Sequence, residues 1–399
     1  MRRMQSAIII GGGVTGLSTA YHLARRGYGR IIVLDKGPVG DGSSSRAAGI
    51  ITGLLWSEAG VLARKKALSL YRELSDELDG YRFQDVGCLN LFDPDSWLER
   101  ERLLPLYDRL GAQYEILDAE AMQRRWPQLR LPDSTIGLYD PLGGYSEPHE
   151  YLPAITARVR ELGVEIREHE PVADVIVRGG RAVGVRTASG EIAADAVVST
   201  VYAWTGALLG RIDVRLPVKS FVHQRYVTAP LVEAHRIPAI NANPLGGYVR
   251  PAHGGRLLVG VETPDRDERR VAELDFHMSA LAAPPGIERE LHRRFTEIVP
   301  ALAHVGWESE KVGLLTFAMD GEPILGPLSQ VPGLFVGVAF HSGGFAYSPV
   351  TGLLLAEFVA EGRTSIDVRA FSPDRFDPRE TEQYLAETVA QRDVVRRRH

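Results

Sequence analysis

Four residues near the start of the chain have the types and spacing that bind a dinucleotide. Residues 11–16 read Gly-Gly-Gly-Val-Thr-Gly, which is a G-x-G-x-x-G pattern, and Asp35 follows about twenty residues later. Gly11 permits a tight turn, Gly13 lets a pyrophosphate approach the backbone, and Gly16 permits close packing of a helix on a strand. A carboxylate at position 35 accepts hydrogen bonds from ribose hydroxyls, which favours an adenosine without a 2′-phosphate and argues against NADP.

The elements around this turn must be a strand, a helix and a second strand. Residues 7–10 and 31–34 are short apolar runs rich in isoleucine and valine, and residues 17–27 carry apolar side chains at helical spacing. A helix that begins at the glycine turn offers free N–H groups and its positive dipole end to a pyrophosphate. The order of these elements predicts a Rossmann-like domain that binds a dinucleotide, against the alternative of a glycine-rich turn without a ligand.

The composition of the whole chain narrows the class of protein. Its 399 residues predict two domains, and the net charge of −5 gives no support to nucleic-acid binding. The one cysteine, Cys88, excludes an internal disulfide framework and is expected to be a small core residue. We see no signal peptide and no apolar run of membrane-spanning length, and we predict no metal site. We therefore expect a cytoplasmic protein.

A second stretch with binding chemistry follows Asp35. Residues 43–49 read Ser-Ser-Ser-Arg-Ala-Ala-Gly, and they bring hydroxyls, backbone N–H groups and one guanidinium within reach of a phosphate. The alternative is a flexible surface loop. Together with the fingerprint at 11–16 and with Asp35, the stretch resembles the FAD-dependent oxidoreductases of the D-amino-acid oxidase superfamily. That group includes glycine oxidase, sarcosine oxidase, dimethylglycine dehydrogenase and the β-subunits of proline and opine dehydrogenases.

The resemblance implies FAD as the cofactor, with its adenine half on the glycine turn and its isoalloxazine beyond residues 43–49. No histidine or cysteine lies between positions 42 and 57, so we expect non-covalent FAD. The resemblance also implies a set of cofactor-binding residues. These are Gly11, Gly13, Val14, Thr15, Gly16, Asp35, Lys36, Ser44, Ser45, Arg46, Ala48, Gly49, Ile50, Val172, Gly343, Gly344 and Phe345.

A third motif near the C-terminus extends the resemblance to almost the whole chain. Residues 319–327 resemble the family's D-G-x-P-x-x-G turn, and residues 333–352 read as a strand, a glycine loop and a helix. In the family this loop meets the pyrimidine edge of the flavin, where reduction builds negative charge. The start of a helix presents unpaired N–H groups, which would stabilise that charge.

The candidates for catalysis come from this loop and from strand-like segments after residue 216. We predict His341, Tyr248, Arg250, Tyr347 and His223 as catalytic or substrate-binding residues, with Tyr202 as a further choice. Tyr248 and Arg250 lie two apart in a predicted hairpin, 247–251 with 256–261, so both should face the site or both should miss it. An arginine would bind a substrate carboxylate, and a histidine or tyrosine would take a proton from the amine.

Four departures from the family pattern leave the substrate open. Relatives usually have a glycine close to position 202, where this chain has a tyrosine. The positions that match the carboxylate-binding arginine of glycine oxidase and the loop lysine of sarcosine oxidase hold Ser342 and Ala346. The position of the second, oxygen-activating lysine of sarcosine oxidase holds Leu258, which favours a dehydrogenase. Substrate binding must therefore differ from both relatives.

These observations predict an α/β fold, α+β overall, in which a Rossmann-like FAD domain is interleaved with an antiparallel-sheet substrate domain. We predict residues 1–84, 149–214 and 312–376 for the FAD domain, 85–148 and 215–311 for the substrate domain, and 377–399 for a C-terminal helix and tail. The predicted activity is oxidation of the C–N bond of an amino acid or N-substituted amino acid, with oxygen, a quinone or another carrier as acceptor. The alternatives are a D-amino-acid or glycine oxidase, and an FAD-binding subunit that needs partner subunits. A homo-oligomer is a further alternative to partner subunits.

Overall fold

The fold is built from two large sheets. The computed structural model describes residues 5–232, 236–261 and 266–394. One sheet has six strands and the other has nine. Two smaller groups, the three-stranded sheet of β9 (Val172–Arg178), β10 (Arg181–Thr187) and β11 (Gly190–Ala193) and the pair β3 (Ile50–Ile51) with β7 (Gly144–Tyr145), complete the strands.

The six-stranded sheet is parallel except at one edge. Its four central strands are largely buried apolar runs, as expected for a parallel sheet that is covered on both faces. Only β18 pairs antiparallel, with β19. From edge to edge the strands are β18 (Ile324–Pro327), β19 (Leu334–Val338), β12 (Ala196–Ser199), β1 (Ser6–Ile10), β2 (Arg30–Leu34) and β8 (Glu165–Arg167). The predicted Rossmann-like sheet is thereby confirmed.

The nine-stranded sheet is antiparallel except where β14 runs parallel to β4. Its strands come from two distant parts of the sequence, because β4 to β6 precede β13 to β17 by a long segment. From edge to edge they are β20 (Phe340–His341), β17 (Trp307–Ala318), β13 (Val218–Thr228), β16 (Arg256–Val261), β15 (Gly247–Ala252), β14 (Ala239–Ala242), β4 (Cys88–Phe92), β6 (Ile136–Asp140) and β5 (Glu115–Asp118). The predicted antiparallel sheet is confirmed, and the domain limits given above stay a prediction.

The helices cover the sheets and fill the space between their ends. They are α1 (Val14–Arg25), α2 (Glu58–Glu77), α3 (Pro94–Glu101), α4 (Leu104–Arg109), α5 (Ala119–Arg125), α6 (Pro148–Glu161), α7 (Thr205–Leu209), α8 (Ile287–Thr296), α9 (Gly344–Glu361), α10 (Pro378–Ala386) and α11 (Gln391–Val394). Within the described residues, none of these helices is long and apolar enough to span a membrane.

Helices α1 and α9 pack closely against each other, although they are more than 300 residues apart in the sequence. A Cβ built at Gly352 of α9 would lie 2.4 Å from the backbone carbon of Ser18 on α1. Glycine is therefore required where the two helices cross. Because α1 begins at the glycine turn and α9 begins at the C-terminal loop, their packing fixes both helix N-termini on the same side of the six-stranded sheet.

Candidate active site

A long cavity, which we call the main cavity, runs from the glycine turn to the nine-stranded sheet. Gly11, Gly13, Val14 and Thr15 line its first end, as predicted. Gly16 does not reach it, because a Cβ there would lie 1.9 Å from the carbonyl oxygen of Gly11. The glycine at 16 thus serves the packing of α1 against the turn, and the other four named positions of the turn line the space for a ligand.

Asp35 and Lys36 line the main cavity at the end of β2. The Asp35 carboxylate accepts hydrogen bonds from the backbone N–H groups of Gly12, at 2.7 Å, and Gly37, at 2.9 Å. Burial raises its pKa, although these two hydrogen bonds oppose the shift. The Lys36 ammonium donates to the carbonyl oxygen of Leu274 at 2.9 Å and lies 4.1 Å from the centre of a Trp204 ring. Both charged residues therefore also hold the walls of the cavity together.

The turn at 44–46 is anchored from two directions. The hydroxyl of Ser44 accepts a hydrogen bond from the N–H of Val14 at 3.1 Å, which ties the turn to the start of α1. The Arg46 guanidinium donates to the carbonyl oxygens of Val312, at 2.9 Å, and Gly42, at 2.7 Å. From β13, Arg225 donates to the carbonyl oxygen of Arg46 at 3.0 Å. Arg46 lines the main cavity, but its guanidinium is committed to backbone carbonyls, contrary to the expectation that it reaches toward a phosphate.

The remaining N-terminal candidates fall in three places. Ala48 and Val172 line the main cavity. Gly49 and Ile50 line a second, smaller cavity beyond it, which we call the small cavity. Ser45 lines neither of the two. The main and small cavities share Ala48, Tyr248, Ser342 and Phe345 among their lining residues, so they are adjacent.

The C-terminal loop forms the far end of the main cavity. His341, Gly344 and Phe345 line it. His341 has a φ of +46° and Ala339 a φ of +61°, both in the left-handed region that L-residues adopt at a cost. Gly343 does not line the cavity. The space beside its Cα is taken by the guanidinium of Arg64, since a Cβ built there would lie 2.3 Å from Nη2. The helix α9 begins at Gly344, so its first N–H groups lie at this end, as the motif predicted.

Tyr202 has a strained backbone conformation. Its φ is +49°, a conformation that glycine adopts without strain. Here the hydroxyl of Tyr202 donates to the carbonyl oxygen of His341 at 2.8 Å and accepts from the N–H of Thr316 at 3.0 Å. These two hydrogen bonds link the C-terminal loop to β17 and hold the strained conformation. Tyr202 also lines the main cavity.

His223 and Tyr248 form a hydrogen-bonded pair on the wall of the main cavity. Nε2 of His223 lies 2.9 Å from the hydroxyl of Tyr248, and both residues line the cavity. A Cβ built at Gly260 would lie 2.3 Å from Cζ of Tyr248, so the glycine on β16 leaves the room in which the ring lies. The sheet thus places an imidazole and a phenol together at the far end, where the sequence predicted the chemistry.

Arg250 lies on the same strand as Tyr248 but lines neither cavity. Its guanidinium donates to both carboxylate oxygens of Glu147, at 2.7 and 3.0 Å, and its Nε donates to the carbonyl oxygen of Ala48 at 2.6 Å. The arginine is fully buried. Burial acts to raise the pKa of Glu147, but the charge and the hydrogen bonds of Arg250, with smaller contributions from His149 and the N–H of His253, together outweigh it and lower that pKa. We expected Tyr248 and Arg250 either both to face the site or both to miss it, and this expectation is wrong. Tyr248 lines the cavities, whereas the guanidinium of Arg250 is hydrogen-bonded to the carboxylate of Glu147.

His341 and Tyr347 have unequal access to the site. Burial, with a smaller effect of the Arg64 charge, lowers the pKa of His341 to about 3, so the imidazole is neutral at ordinary pH. Tyr347, on α9, is buried and lines neither cavity. Its ring lies beneath the guanidinium of Arg64, whose Cζ is 4.2 Å from the ring centre. Tyr347 therefore supports its neighbours and has no direct path to a ligand in either cavity.

Arg64 is the charged residue of this region that the sequence reasoning missed. It lies on α2, is 1% exposed and lines the small cavity. A sequence signal does exist: Arg64 falls between Val61 and Leu68 at helical spacing, within the apolar stripe of α2. A charged residue in an apolar stripe is a candidate for buried function.

The main cavity fits FAD. One end offers the start of α1 and glycines without side chains, and the other offers the start of α9 and a polar wall. A Cβ at Gly13 would lie 2.9 Å from the hydroxyl of Ser44, so any side chain there would crowd the turn that faces the cavity. Two helix N-termini at opposite ends suit a molecule with a pyrophosphate and a ring that becomes negatively charged.

Comparisons with known proteins agree with this geometry. The sequence pattern of the family described as FAD dependent oxidoreductase matches residues 6–358. The chain is 29% identical to 4-methylaminobutanoate oxidase (formaldehyde-forming) of Paenarthrobacter nicotinovorans, over 92% of this chain and 45% of that protein. It is 28% identical to sarcosine oxidase subunit beta of an Arthrobacter species, over 94% of this chain and 92% of that one.

The fold has a close match among solved structures. L-proline dehydrogenase from P. horikoshii superposes with a TM-score of 0.85 at 24% identity, over 94% of this chain and 98% of that one. The chain spans about half the length of several of the curated relatives it matches, 45% for both the methylaminobutanoate oxidase and the rat dimethylglycine dehydrogenase.

Proposed function

Because the chain belongs to the FAD-dependent oxidoreductases of the D-amino-acid oxidase superfamily, we propose that it oxidises the C–N bond of an amino acid or N-substituted amino acid. The observation that carries this proposal is the pair His223–Tyr248 on the wall of the main cavity, which Gly344 and Phe345 at the N-terminus of α9 also line. Bound FAD supplies the acceptor for the hydride from the carbon next to nitrogen. The resulting imine is hydrolysed in water.

The pair His223–Tyr248 has the chemistry to prepare the amine. An amine gives up hydride from its neighbouring carbon only when its nitrogen is uncharged, so its proton must first leave. Tyr248 lines both cavities, and its hydroxyl is hydrogen-bonded to Nε2 of His223. Tyr248 therefore orients the amine or accepts its proton. His223 takes up the resulting positive charge by accepting the proton of the Tyr248 hydroxyl.

The C-terminal loop has the electrostatics to support the acceptor. The N–H groups at the start of α9 point their dipoles toward the far end of the main cavity. His341, which stays neutral, lines the same end and adds no positive charge of its own. The apolar residues around it, such as Phe340, Phe345 and Leu314, exclude water, which strengthens these interactions.

The FAD is held without a covalent bond on this proposal, since no histidine or cysteine occurs from 42 to 57. A second candidate function is an FAD-binding subunit that works with partner subunits, which is supported by the relative that is named a subunit beta. Oxygen, a quinone or another carrier is the proposed acceptor. Oxidation of glycine or a D-amino acid remains the alternative for the substrate.

Anaerobic reduction of the purified protein tests the proposal. The protein should be yellow and should release FAD on denaturation. Its visible absorbance should bleach with at least one of sarcosine, dimethylglycine, 4-methylaminobutanoate, glycine, D-proline, L-proline and simple opines. A protein that stays colourless after incubation with FAD contradicts the proposal. Bleaching by the isolated chain argues against an obligate need for partner subunits.

A further inference from the structure

Arg64 has an unusual environment for a buried cation. Its side chain is 1% exposed, and its Nε has no hydrogen-bond partner among the described residues. Burial lowers the pKa of Arg64. The groups that oppose this shift are the hydroxyl of Tyr347, which also forms a side-chain hydrogen bond with Arg64, and the Tyr71 hydroxyl and Cys88 thiol, none of which is a carboxylate. Burying a charge without a counter-charge is costly, so an anion from outside the chain would stabilise Arg64 where the fold leaves a cavity beside it.

Arg100 shows what a purely structural buried arginine looks like in this protein. It is also fully buried, but its guanidinium donates to the carbonyl oxygen of Leu54 and to the hydroxyl of Tyr107, at 2.9 and 2.8 Å. It lines neither the main nor the small cavity. Each guanidinium lies over an aromatic ring, that of Tyr347 for Arg64 and that of Trp56 for Arg100. Arg64 differs from Arg100 because it borders a cavity.

The small cavity has a second feature that favours an anion. Phe345 and Ala346, in the first turn of α9, line it together with Arg64. N–H groups in a first helical turn have no partner within the helix and carry positive partial charge. A negatively charged group in the small cavity would therefore meet a guanidinium and a helix N-terminus together.

The small cavity is also placed correctly with respect to the proposed chemistry. Tyr248 lines both cavities, so a molecule in the small cavity lies beside the pair His223–Tyr248. The other candidate for binding a carboxylate, Arg250, is occupied by Glu147. The loop positions Ser342 and Ala346 carry no positive charge.

We propose that Arg64 binds the carboxylate of the substrate in the small cavity, so that the substrates are amines that carry a carboxylate within reach of Tyr248. The inference rests on the proposed function for the identity of the ligand. It rests on the geometry of Arg64, the small cavity and the start of α9 for the site itself. Arg64 thereby selects amino acids over uncharged amines.

Binding of a carboxylate probe tests the site without turnover. We would titrate the FAD-loaded protein with acetate and with acetamide, which matches acetate in shape but is neutral, and follow the visible flavin spectrum. Arg64→Met should weaken acetate binding by at least about 10-fold and leave acetamide binding unchanged, because a charge-assisted hydrogen bond is lost. Lys66→Met, which removes an exposed cation two residues away on α2, is the matched control and should change neither ligand.

Steady-state kinetics extend the test to substrates. For an amine that bleaches the wild-type protein, Arg64→Met should raise KM for the acid on the order of 100-fold and change KM for the corresponding amide little. Sarcosine with sarcosinamide is the first pair to use. If no amine bleaches the wild-type protein, the proposed function fails. The acetate titration still decides whether Arg64 binds an anion.

Two milder variants keep the proposal testable if Arg64→Met does not fold. Arg64→Lys keeps the positive charge but loses the planar guanidinium, which can donate two parallel hydrogen bonds to a carboxylate. Gly343→Ala adds a Cβ that would lie 2.3 Å from Nη2 of Arg64, at a φ of −94° that alanine adopts. Both should weaken acetate binding relative to Lys66→Met. Acetate binding at wild-type strength in these variants overturns the proposal. So does a variant that binds FAD more weakly while the fraction that retains FAD binds acetate with unchanged affinity, since Arg64 would then serve the cofactor.

Discussion

Replacing Arg250 separates a structural arginine from a substrate-binding one. In the structure the Arg250 guanidinium forms two hydrogen bonds with Glu147 and is fully buried. Arg250→Met would leave the Glu147 carboxylate buried without its counter-charge, which costs about 3–5 kcal/mol. With about 2.1 cal/mol/K per residue, the unfolding entropy of 399 residues is about 0.8 kcal/mol/K. We therefore expect Tm to fall by about 4–6 °C.

The assay is thermal unfolding followed by circular dichroism and by flavin fluorescence, with KM measured on the surviving protein. Arg256→Met is the matched control, because Arg256 forms a similar fork with Glu308 at 2.6 and 3.1 Å but both side chains are partly exposed. Because water screens an exposed pair, Arg256→Met should lower Tm far less than Arg250→Met does. The reasoning is refuted if Arg250→Met melts like the wild type while KM for a carboxylated amine rises strongly, as expected of a substrate ligand.

Three further predictions follow from single contacts. Tyr248→Phe removes the hydrogen bond to His223, and it should lower kcat/KM by roughly 10–100-fold with an unchanged ratio of FAD to protein. Gly16→Ala places a Cβ 1.9 Å from the Gly11 carbonyl oxygen, and the purified protein should lack the yellow colour; a fully yellow variant would contradict the packing role of Gly16. Burial lowers the pKa of His22 to about 3, so His22 stays neutral in the fold while the unfolded chain binds a proton below pH 6.5. Stability should thus fall by about 2 kcal/mol from pH 7 to pH 5 on account of His22, and the decline should be smaller in His22→Gln, as measured by Tm against pH.

The local pattern of the chain was enough to predict the sheet architecture and the cofactor. A glycine turn between an apolar strand and an amphipathic helix has one well-known structural solution, since the spacing of the glycines is set by backbone geometry. The same holds for the C-terminal strand, loop and helix, whose start at Gly344 lies at the far end of the main cavity. Alternating strands predicted the hairpin of β15 and β16, which the structure confirms.

The local sequence pattern did not predict the roles of side chains whose partners lie far away in the sequence. Arg250 and Tyr248 lie on one face of β15, but Glu147, which is about a hundred residues earlier in the chain, occupies the guanidinium of one of them. Arg46 was expected to face a phosphate, and Val312 takes its Nε hydrogen bond. Alternation along a strand predicts a face, and it does not predict which neighbour the rest of the fold brings to that face.

The sequence by itself predicted a dinucleotide site at the glycine turn, because short-range geometry decides a glycine turn, a helix start and an acidic strand end. Tertiary structure alone decided which charged side chains border the two cavities. Arg64 reaches the small cavity only because α2 packs beside α9 and leaves its side chain next to Gly343. A side chain's partners are fixed by contacts across the whole chain, and those contacts exist only when the two sheets and the helices between them have come together.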